Sequence, residues 1–324
     1  GAANGTIAYF NNESFTVLPM GAAGTVITSA GPGNAPTWSP GGGSVPDPLS
    51  VGQLNTDKIA GKTGSIIDVA GTLRITDTNT NNSIGYNSNA AGTGNVAMGY
   101  EALQNNTGSY NVGIGYLAAQ TGSPTDAVAI GNSALKSDTN TGSVAIGSGA
   151  ATNTNSAGNV AIGYNALNAN TTGTNNVAIG FQAQSANNIS DNIVIGYQAA
   201  QNATGSRVIA FGSGAGLISV SDMLAIGYNA LMASSALNMA IGNYALQNTV
   251  TGARNLALGY QSGQSNLGSD NLYTGYQAGK VCDSGDRNTV YGSMAALAGL
   301  LGSDNVVMGY SAFPSRQTCS ASIV

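Results

Sequence analysis

A pentapeptide of the type Asn-Val-Ala-Ile-Gly recurs along most of the chain, and this repetition most constrains the fold. Fifteen copies end in glycines running from Gly85 to Gly309, with a mean period of 16 residues. A fixed period with units too small to fold alone is typical of a solenoid. Helical repeats need roughly 33 residues or more per unit, so a coil of two short strands and two turns fits better. We therefore predict an all-β, parallel β-roll of about 15 coils over residues 81–313.

Two columns of mostly branched aliphatic residues run through the aligned repeats. One stands directly before the glycine and the other three residues before it, so both point to the same side of a strand. We predict that these columns form the inner packing of the roll. The predicted roll core of the first coils consists of Val96, Met98, Val112, Ile114, Val128, Ile130, Val144, Ile146, Val160, Ile162, Val177 and Ile179.

The column between them points the opposite way and is mostly alanine. A solvated face would not select alanine so consistently, so we expect another backbone close against it. This column is the best indication in the sequence of an oligomer. Its alanines are Ala97, Ala129, Ala145, Ala161, Ala178, Ala210, Ala225, Ala240 and Ala257. Near the end of the repeats Tyr273, Val290 and Val307 replace alanine, which predicts that the subunits separate or repack there.

Three further columns have simple interpretations. Alanine three residues after the glycine, in thirteen repeats, predicts an inward position with room only for a methyl group. Tyrosine directly after the glycine, in nine repeats, predicts a row of rings about 4.8 Å apart; we favour structural rings over a glycan site. Asparagine at the start of the pentapeptide could form an amide ladder or fix a turn, and the glycine itself predicts a corner that tolerates no Cβ.

The unit Asn-Val-Ala-Ile-Gly-Tyr-x-Ala-Leu, clearest at residues 159–167, resembles the head repeat of YadA-type trimeric autotransporter adhesins. The resemblance covers about residues 81–313. It implies a left-handed parallel β-roll, three parallel chains around one axis, and extracellular attachment. The alanine column is then the candidate trimer axis. The period here is longer than the family's unit, and this chain shows neither a coiled-coil stalk nor a membrane barrel.

The regions outside the repeats differ in composition. Residues 1–48 are predicted to be a small N-terminal β segment with a Gly/Pro linker, used for attachment or docking. Part of it resembles segments of tail-fibre proteins of phages and large viruses. Residues 49–80 are predicted to be an irregular β transition, and residues 314–324 a C-terminal cap or tail that covers the open end of the roll.

Composition excludes several classes of function. The chain has no histidine, so His-based triads and His metal sites are excluded. Nine scattered basic residues and a net charge of −5 argue against a nucleic-acid partner. The longest apolar run, residues 294–301, is far shorter than the roughly 18 residues of a membrane-spanning helix. We predict no membrane insertion, no metal and no cofactor.

Few residues are candidates for chemistry. Cys282 and Cys319 could form a disulfide, but they lie about two coils apart, so we favour two free thiols. Asp283, Asp286 and Arg287 could bind a cation, but capping of a turn is the preferred interpretation. A Gly-rich stretch at residues 212–216 lacks the lysine and following helix of a phosphate loop, so we interpret it as a repeat corner.

These observations predict a non-enzymatic, extracellular, homotrimeric fibre or adhesin. Its partners would be its own copies and a host-surface receptor or glycan, and it would be a virion appendage or a cell-surface filament. The first alternative is a filament that polymerises head to tail through the N-terminal segment. An ice- or surface-binding solenoid is a weaker alternative, because the threonines fall at irregular offsets in the turns.

Overall fold

In the computed structural model, the chain consists of two compact units, residues 1–72 and residues 73–324. It describes residues 81–324 apart from 89–90, 140, 187, 234–236, 250, 282–283, 299–301 and 316–319. In the first unit it describes four strands only. Cys282, Cys319 and Asp283 lie outside the described residues, so the predicted disulfide and cation site stay predictions.

The first unit contains two antiparallel strand pairs. Strand β1 (Ile7–Asn11) pairs with β2 (Ser14–Leu18), with Asn11 opposite Ser14 across a two-residue connection. Strand β3 (Thr25–Thr28) pairs with β4 (Thr37–Pro40). Each pair is a separate two-stranded sheet.

The second unit is a parallel β-solenoid, as the repeat predicts, and its described residues contain no helix. Its main sheet has 15 parallel strands, and each pairs in register with the equivalent strand of the next repeat. In chain order these strands are β5 (Asn82–Ile84), β6 (Val96–Met98), β8 (Val112–Ile114), β10 (Val128–Ile130), β12 (Val144–Ile146), β13 (Val160–Ile162), β14 (Val177–Ile179), β15 (Ile193–Ile195), β16 (Val208–Phe211), β17 (Met223–Ile226), β18 (Met239–Ile241), β19 (Leu256–Leu258), β20 (Leu272–Thr274), β21 (Thr289–Tyr291) and β22 (Val306–Met308).

The return side of each coil is less regular. In the first coils it forms a second parallel sheet of three two-residue strands, β7 (Asn105–Asn106), β9 (Thr121–Gly122) and β11 (Ser137–Asp138). Backbone hydrogen bonds to the next coil continue further along, for example from Leu167 N–H to the Ala183 carbonyl. The two walls of every coil are therefore tied to their neighbours by the backbone itself.

The recurring glycine forms the corner of each coil, as predicted. Gly163 has φ of +131°, a conformation that side chains disfavour. A Cβ at Gly163 would lie 2.4 Å from the carbonyl oxygen of Gly180, its equivalent in the next coil. The same close approach repeats along the stack, so the spacing of the coils requires glycine on steric grounds as well as conformational ones.

The prediction of the inner face was wrong. The alternation is correct, but the residues predicted to be the roll core are not buried: Met98 is 40% exposed, and the other eleven are half-buried. They point away from the interior of the coil. These outward residues are Val96, Met98, Val112, Ile114, Val128, Ile130, Val144, Ile146, Val160, Ile162, Val177 and Ile179.

The alanine column faces the interior instead, and the alanines three residues after the glycine are buried as well. Residues of both columns, such as Ala161 and Ala166, are 0% exposed within a single chain. The space between the two walls of one coil is filled mainly by alanines, together with leucines such as Leu167, which is also 0% exposed. The proposed trimer-axis alanines are thus enclosed in their own coil, and the prediction that they contact another subunit was wrong; they are Ala97, Ala129, Ala145, Ala161, Ala178, Ala210, Ala225, Ala240 and Ala257.

Larger residues in the alanine column are accommodated inside the same chain. Tyr273, Val290 and Val307 are at most 1% exposed, so they do not mark a separation of subunits. A Cβ at Gly263 would lie 2.7 Å from the Tyr273 ring, so the missing side chain there makes room for the ring. The Tyr273 hydroxyl donates to Asn266 Oδ1 at 3.1 Å. Large and small residues therefore compensate each other across the interior.

The side chains of the asparagine column form a buried ladder, and most of its hydrogen bonds join a side-chain amide to a backbone group. Asn176 Oδ1 accepts the backbone N–H of Asn192 at 3.2 Å, and its Nδ2 donates to the Ile189 carbonyl at 2.7 Å. Amide-to-amide bonds also occur, as from Asn176 Nδ2 to Asn159 Oδ1 at 3.1 Å. Both predicted roles, ladder and turn support, are combined in one side chain.

The C-terminal tail lies along the last strand. Val306 forms a parallel bridge with Ile323, and the N–H of Met308 donates to the Val324 carbonyl at 2.8 Å. Ser322 N–H donates to Asn305 Oδ1, which continues the asparagine ladder by one step. The tail thus extends the stack by a further partial coil.

Candidate functional site

The outer side of the 15-stranded sheet is an unusually apolar surface. We call it the aliphatic face; it consists of the first and third residue of each three-residue strand, from Val96 and Met98 to Leu256 and Leu258. Exposure reaches 42% at Ile193 and 40% at Met239. The side chains are covered only by their equivalents in adjacent coils. At about 4.8 Å per strand, fourteen intervals extend the sheet over roughly 67 Å.

A row of aromatic rings follows the glycine corner. We call it the tyrosine ladder. Tyr86, Tyr100 and Tyr116 stack with ring centroids 5.2 and 5.3 Å apart, and Tyr164, Phe181 and Tyr197 stack at 5.1 and 5.3 Å. Tyr260 and Tyr276 stack at 5.5 Å. The predicted row of rings is present, and within each run most ring faces are covered by the neighbouring ring.

The hydroxyls of the tyrosine ladder lie at the surface, and one of them is electrostatically perturbed. The Tyr100 hydroxyl is hydrogen-bonded to the Glu101 carboxylate, whose charge also lies close, and this raises the pKa of Tyr100 above its ordinary value. The ring itself is 44% exposed. The Tyr100 phenol therefore loses its proton at a higher pH than an ordinary tyrosine does.

Charged residues form a second ladder on the turn that precedes the aliphatic face. Arg207 pairs with Asp222, Arg254 with Asp270, and Arg287 with Asp304, with Nε to Oδ1 distances of 2.5 to 2.6 Å. A second guanidinium nitrogen contacts the other carboxylate oxygen in each pair, so all three pairs are bidentate. The hydrogen bonds from arginine lower the pKa values of Asp222, Asp270 and Asp304 below their ordinary range.

These ion pairs were not predicted from the sequence. The arginines and aspartates of these pairs stand directly before the asparagine of the pentapeptide, or before the residue that replaces it. Positive and negative residues alternate at this position in successive repeats, so a comparison of the charges there would have indicated the pairs. Of the proposed cation cluster, Arg287 belongs to this ladder. Asp286 Oδ1 accepts the backbone N–H of Ser269 at 2.7 Å, which confirms the capping role for that residue.

Hydroxyl side chains one position before the charged residues accept hydrogen bonds from the backbone of the neighbouring coil. Ser190 Oγ accepts the N–H of Thr174 at 2.9 Å, and Ser206 Oγ accepts the N–H of Ser190 at 3.0 Å. The column therefore hydrogen-bonds from coil to coil and stabilises the turn.

The chemistry available at these surfaces is recognition by apolar contact, ring stacking and hydrogen bonding. Within the described residues, no group of three or more His, Cys, Asp or Glu side chains is placed to hold a metal ion. The Gly-rich stretch at Gly212 is a coil corner with φ of +132°, as predicted. Among the residues with described structure, no helix is long and apolar enough to cross a bilayer.

In the comparison with known proteins, no family model matches the chain, and neither a curated protein nor a solved structure is significantly similar to it.

Proposed function

We propose that the chain forms a non-enzymatic, homotrimeric fibre or adhesin, with the solenoid as a stiff shaft for attachment to a host or another surface. It would act outside the cell, as a virion appendage or a cell-surface filament. The observation that carries the proposal is the aliphatic face. Its valines are half-buried and its isoleucines half-buried or exposed in the single chain, whereas the alanines behind them are fully buried.

The size of the aliphatic face supports its use as an interface. The aliphatic face spans the strands from β6 to β19, so a band roughly 48 Å long and about 10 Å wide covers roughly 480 Å², within the 300–600 Å² range of the largest apolar patches on typical monomers, which are often functional. A standard interface buries about 800 Å² per partner, so this band would supply rather more than half of one. The sister copy is a suitable occupant because its own aliphatic face has the same length and spacing.

The number of three subunits follows from the resemblance to YadA-type heads and not from the geometry of one chain. In that arrangement the three aliphatic faces would point to a common axis, the place first assigned to the alanines. The turns and the charged ladder would remain available for contact with a receptor. The stacked backbone bonds and enclosed core suit a stiff, protease-resistant shaft.

Sedimentation equilibrium tests the assembly. The expected mass is about 96 kDa, three times the 32.1 kDa of the chain. Ile162→Asp places a charge on the aliphatic face and should yield monomers that keep the β-sheet signal in circular dichroism. The matched control is Ala169→Asp, at an exposed residue seven positions further along the same coil, which should remain trimeric.

Two results would contradict the proposal: a wild-type chain that sediments at 32.1 kDa, or an Ile162→Asp variant that stays assembled. If the aspartate unfolds the coil, Ile162→Ser removes the apolar contact without adding charge and is expected to weaken the trimer at least tenfold. Assembly and folding are then read from separate measurements.

The head-to-tail filament remains a second candidate because of the C-terminal end of the sheet. The tail extends the stack with strand-like pairing, and Ile323 is 87% exposed at its end. Unpaired strand edges are templates for pairing with another chain. Electron microscopy separates the two functions: discrete particles of one length support the fibre, and open-ended filaments support polymerisation.

A further inference from the structure

The tyrosine ladder is interrupted at defined coils. Directly after the corner glycine, Asn132 and Ser148 together leave a two-coil interruption between Tyr116 and Tyr164, and three further interruptions are one coil long. Ser213 stands between Tyr197 and Tyr228, Asn243 between Tyr228 and Tyr260, and Ser293 between Tyr276 and Tyr310. Strand pairing places these residues in successive coils, because Ile195, Phe211 and Ile226 are in register. Each of the three single-coil interruptions therefore leaves a gap one ring wide between two aromatic side chains.

The gap at Asn243 shows what such a space accepts. The ring of Tyr244, the next residue, has its centroid 5.2 Å from Tyr228 and 5.9 Å from Tyr260. It stands nearly perpendicular to both, with interplanar angles of 82° and 89°. Tyr244 is only half-buried, and its neighbours in the ladder are more exposed. A six-membered ring thus fills a one-coil gap by edge-to-face contact, a favourable arrangement for aromatic rings.

The gap at Ser213 has no such occupant. The residue after Ser213 is Gly214, whereas Tyr244 and Met294 follow Asn243 and Ser293 in the other two single-coil gaps. Gly214 has φ of +66°, close to the +61° of Tyr244, so the backbone takes the same course at both positions. With two spacings of about 5.2 Å, a ring centred over Ser213 would lie within the 4.5–7 Å range of aromatic contact on both sides. We call this space the Ser213 slot; its walls are Tyr197 and Tyr228.

Polar groups surround the Ser213 slot. Ser213 itself is half-buried, and a Cβ at Gly214 would lie 2.2 Å from Asn229 Oδ1, so this amide oxygen stands directly above the glycine. Gln198 occupies the matching position beside Tyr197. All the residues of this corner are uncharged. Aromatic walls with a hydroxyl and two amides nearby suit a neutral ring that carries hydroxyl groups.

We propose that the Ser213 slot binds one pyranose ring of a neutral oligosaccharide, held between Tyr197 and Tyr228 and hydrogen-bonded by Ser213, Gln198 and Asn229. The site depends on a single coil corner and goes beyond the assembly proposed above. A single ring offers few contacts, so a dissociation constant of about 1 mM is expected for one copy of the site. Repetition of the site on the copies of an assembled fibre would raise the apparent affinity.

Saturation-transfer NMR on the full chain tests the slot with maltohexaose, cellohexaose and chitohexaose as probes, each at about 5 mM. At least one should receive saturation, and Ser213→Tyr, which completes the tyrosine ladder, should weaken its binding at least tenfold. Ser293→Tyr makes the same substitution in the gap next to Met294 and should leave binding unchanged. Sedimentation of each variant shows whether assembly is preserved, so a loss of binding is distinguished from a loss of the trimer.

A second variant covers the case in which Ser213→Tyr misfolds. Gly214→Tyr imitates the chain's own Tyr244 and should also abolish binding. The proposal is overturned if none of the three oligosaccharides binds, if binding survives both slot-filling variants, or if phenol binds the slot and the sugars do not. The last result would assign the slot to an aromatic side chain of a partner.

Discussion

The two sides of the short strands of the main sheet differ in the size and the exposure of their side chains. On the inner side, Ala161 is 0% exposed, as is Ala166 of the same coil. On the outer side, Val160 and Ile162 are bulky and only half-buried. The inner side is completed by the chain itself, whereas the outer side buries its apolar area only when something else covers it. Folding and assembly therefore depend on different residues one position apart.

Enlarging a side chain on the inner side of a strand should have the largest effect on stability. Ala161→Leu adds three carbons to a closed interior and is expected to lower the free energy of unfolding by about 3 kcal/mol or more. Ile162→Leu, the neighbouring outward residue, conserves volume and should change it by under about 1 kcal/mol. Urea denaturation measures both. Equal effects of the two substitutions would contradict the observed assignment of faces.

Removing a rung of the buried ladder should have the next largest effect. Asn176→Ala leaves the N–H of Asn192 and the Ile189 carbonyl without their partners, at a cost of about 1–3 kcal/mol. Asn132→Ala removes an exposed amide that accepts a bond from Ser133 and should cost far less. Thermal unfolding compares the two. A loss at Asn132 as large as that at Asn176 would show that burial of the ladder does not matter.

One inner residue appears where a leucine would fit better, and replacing it should stabilise the coil. Gln184 is 0% exposed, and within the described residues its side-chain amide makes no hydrogen bond. Leu167 occupies the equivalent position one coil earlier. Gln184→Leu should raise the free energy of unfolding by roughly 1–2 kcal/mol.

The control for this substitution lies two residues away. Gln182→Leu removes the amide oxygen that accepts bonds from Gln198 and Gln201, so it should be neutral or slightly destabilising. Chemical denaturation is again the measurement. A stabilising Gln182→Leu together with a destabilising Gln184→Leu would reverse the expectation.

Neutralising carboxylates of the charged ladder should have the smallest effect on stability. Hydrogen bonds from Arg254 and Arg287 lower the pKa values of Asp270 and Asp304. A lowered folded-state pKa adds stability above the unfolded-state value, and that stability is lost as pH falls through the folded-state pKa. The melting temperature of the wild type should thus fall slightly more between pH 6 and pH 2 than that of Asp270→Asn with Asp304→Asn. Because these carboxylates are exposed, high salt should reduce the difference; a larger fall in the double variant would reverse the sign.

Much of the fold was predictable from columns of the repeat. The period of 16 indicated a parallel solenoid, the glycine column indicated its corners, and the alanine after the glycine indicated a narrow interior. The side of the strand that faces inward was predicted wrongly. Ala161, Val194 and Tyr273 all stand in the inward column at 0% exposure, so residue size did not indicate which column is buried.

The sequence by itself determined the period, the alternation along each strand and the stacking of equivalent residues, because these depend only on local geometry that repeats in every coil. Tertiary structure alone decided which side of the strand is inside, because a two-residue alternation is the same for both faces and only the volume between the walls distinguishes them. It also decided that the ring of Tyr244 fills the gap at Asn243, through contacts with Tyr228 and Tyr260 in the adjacent coils that no single repeat contains.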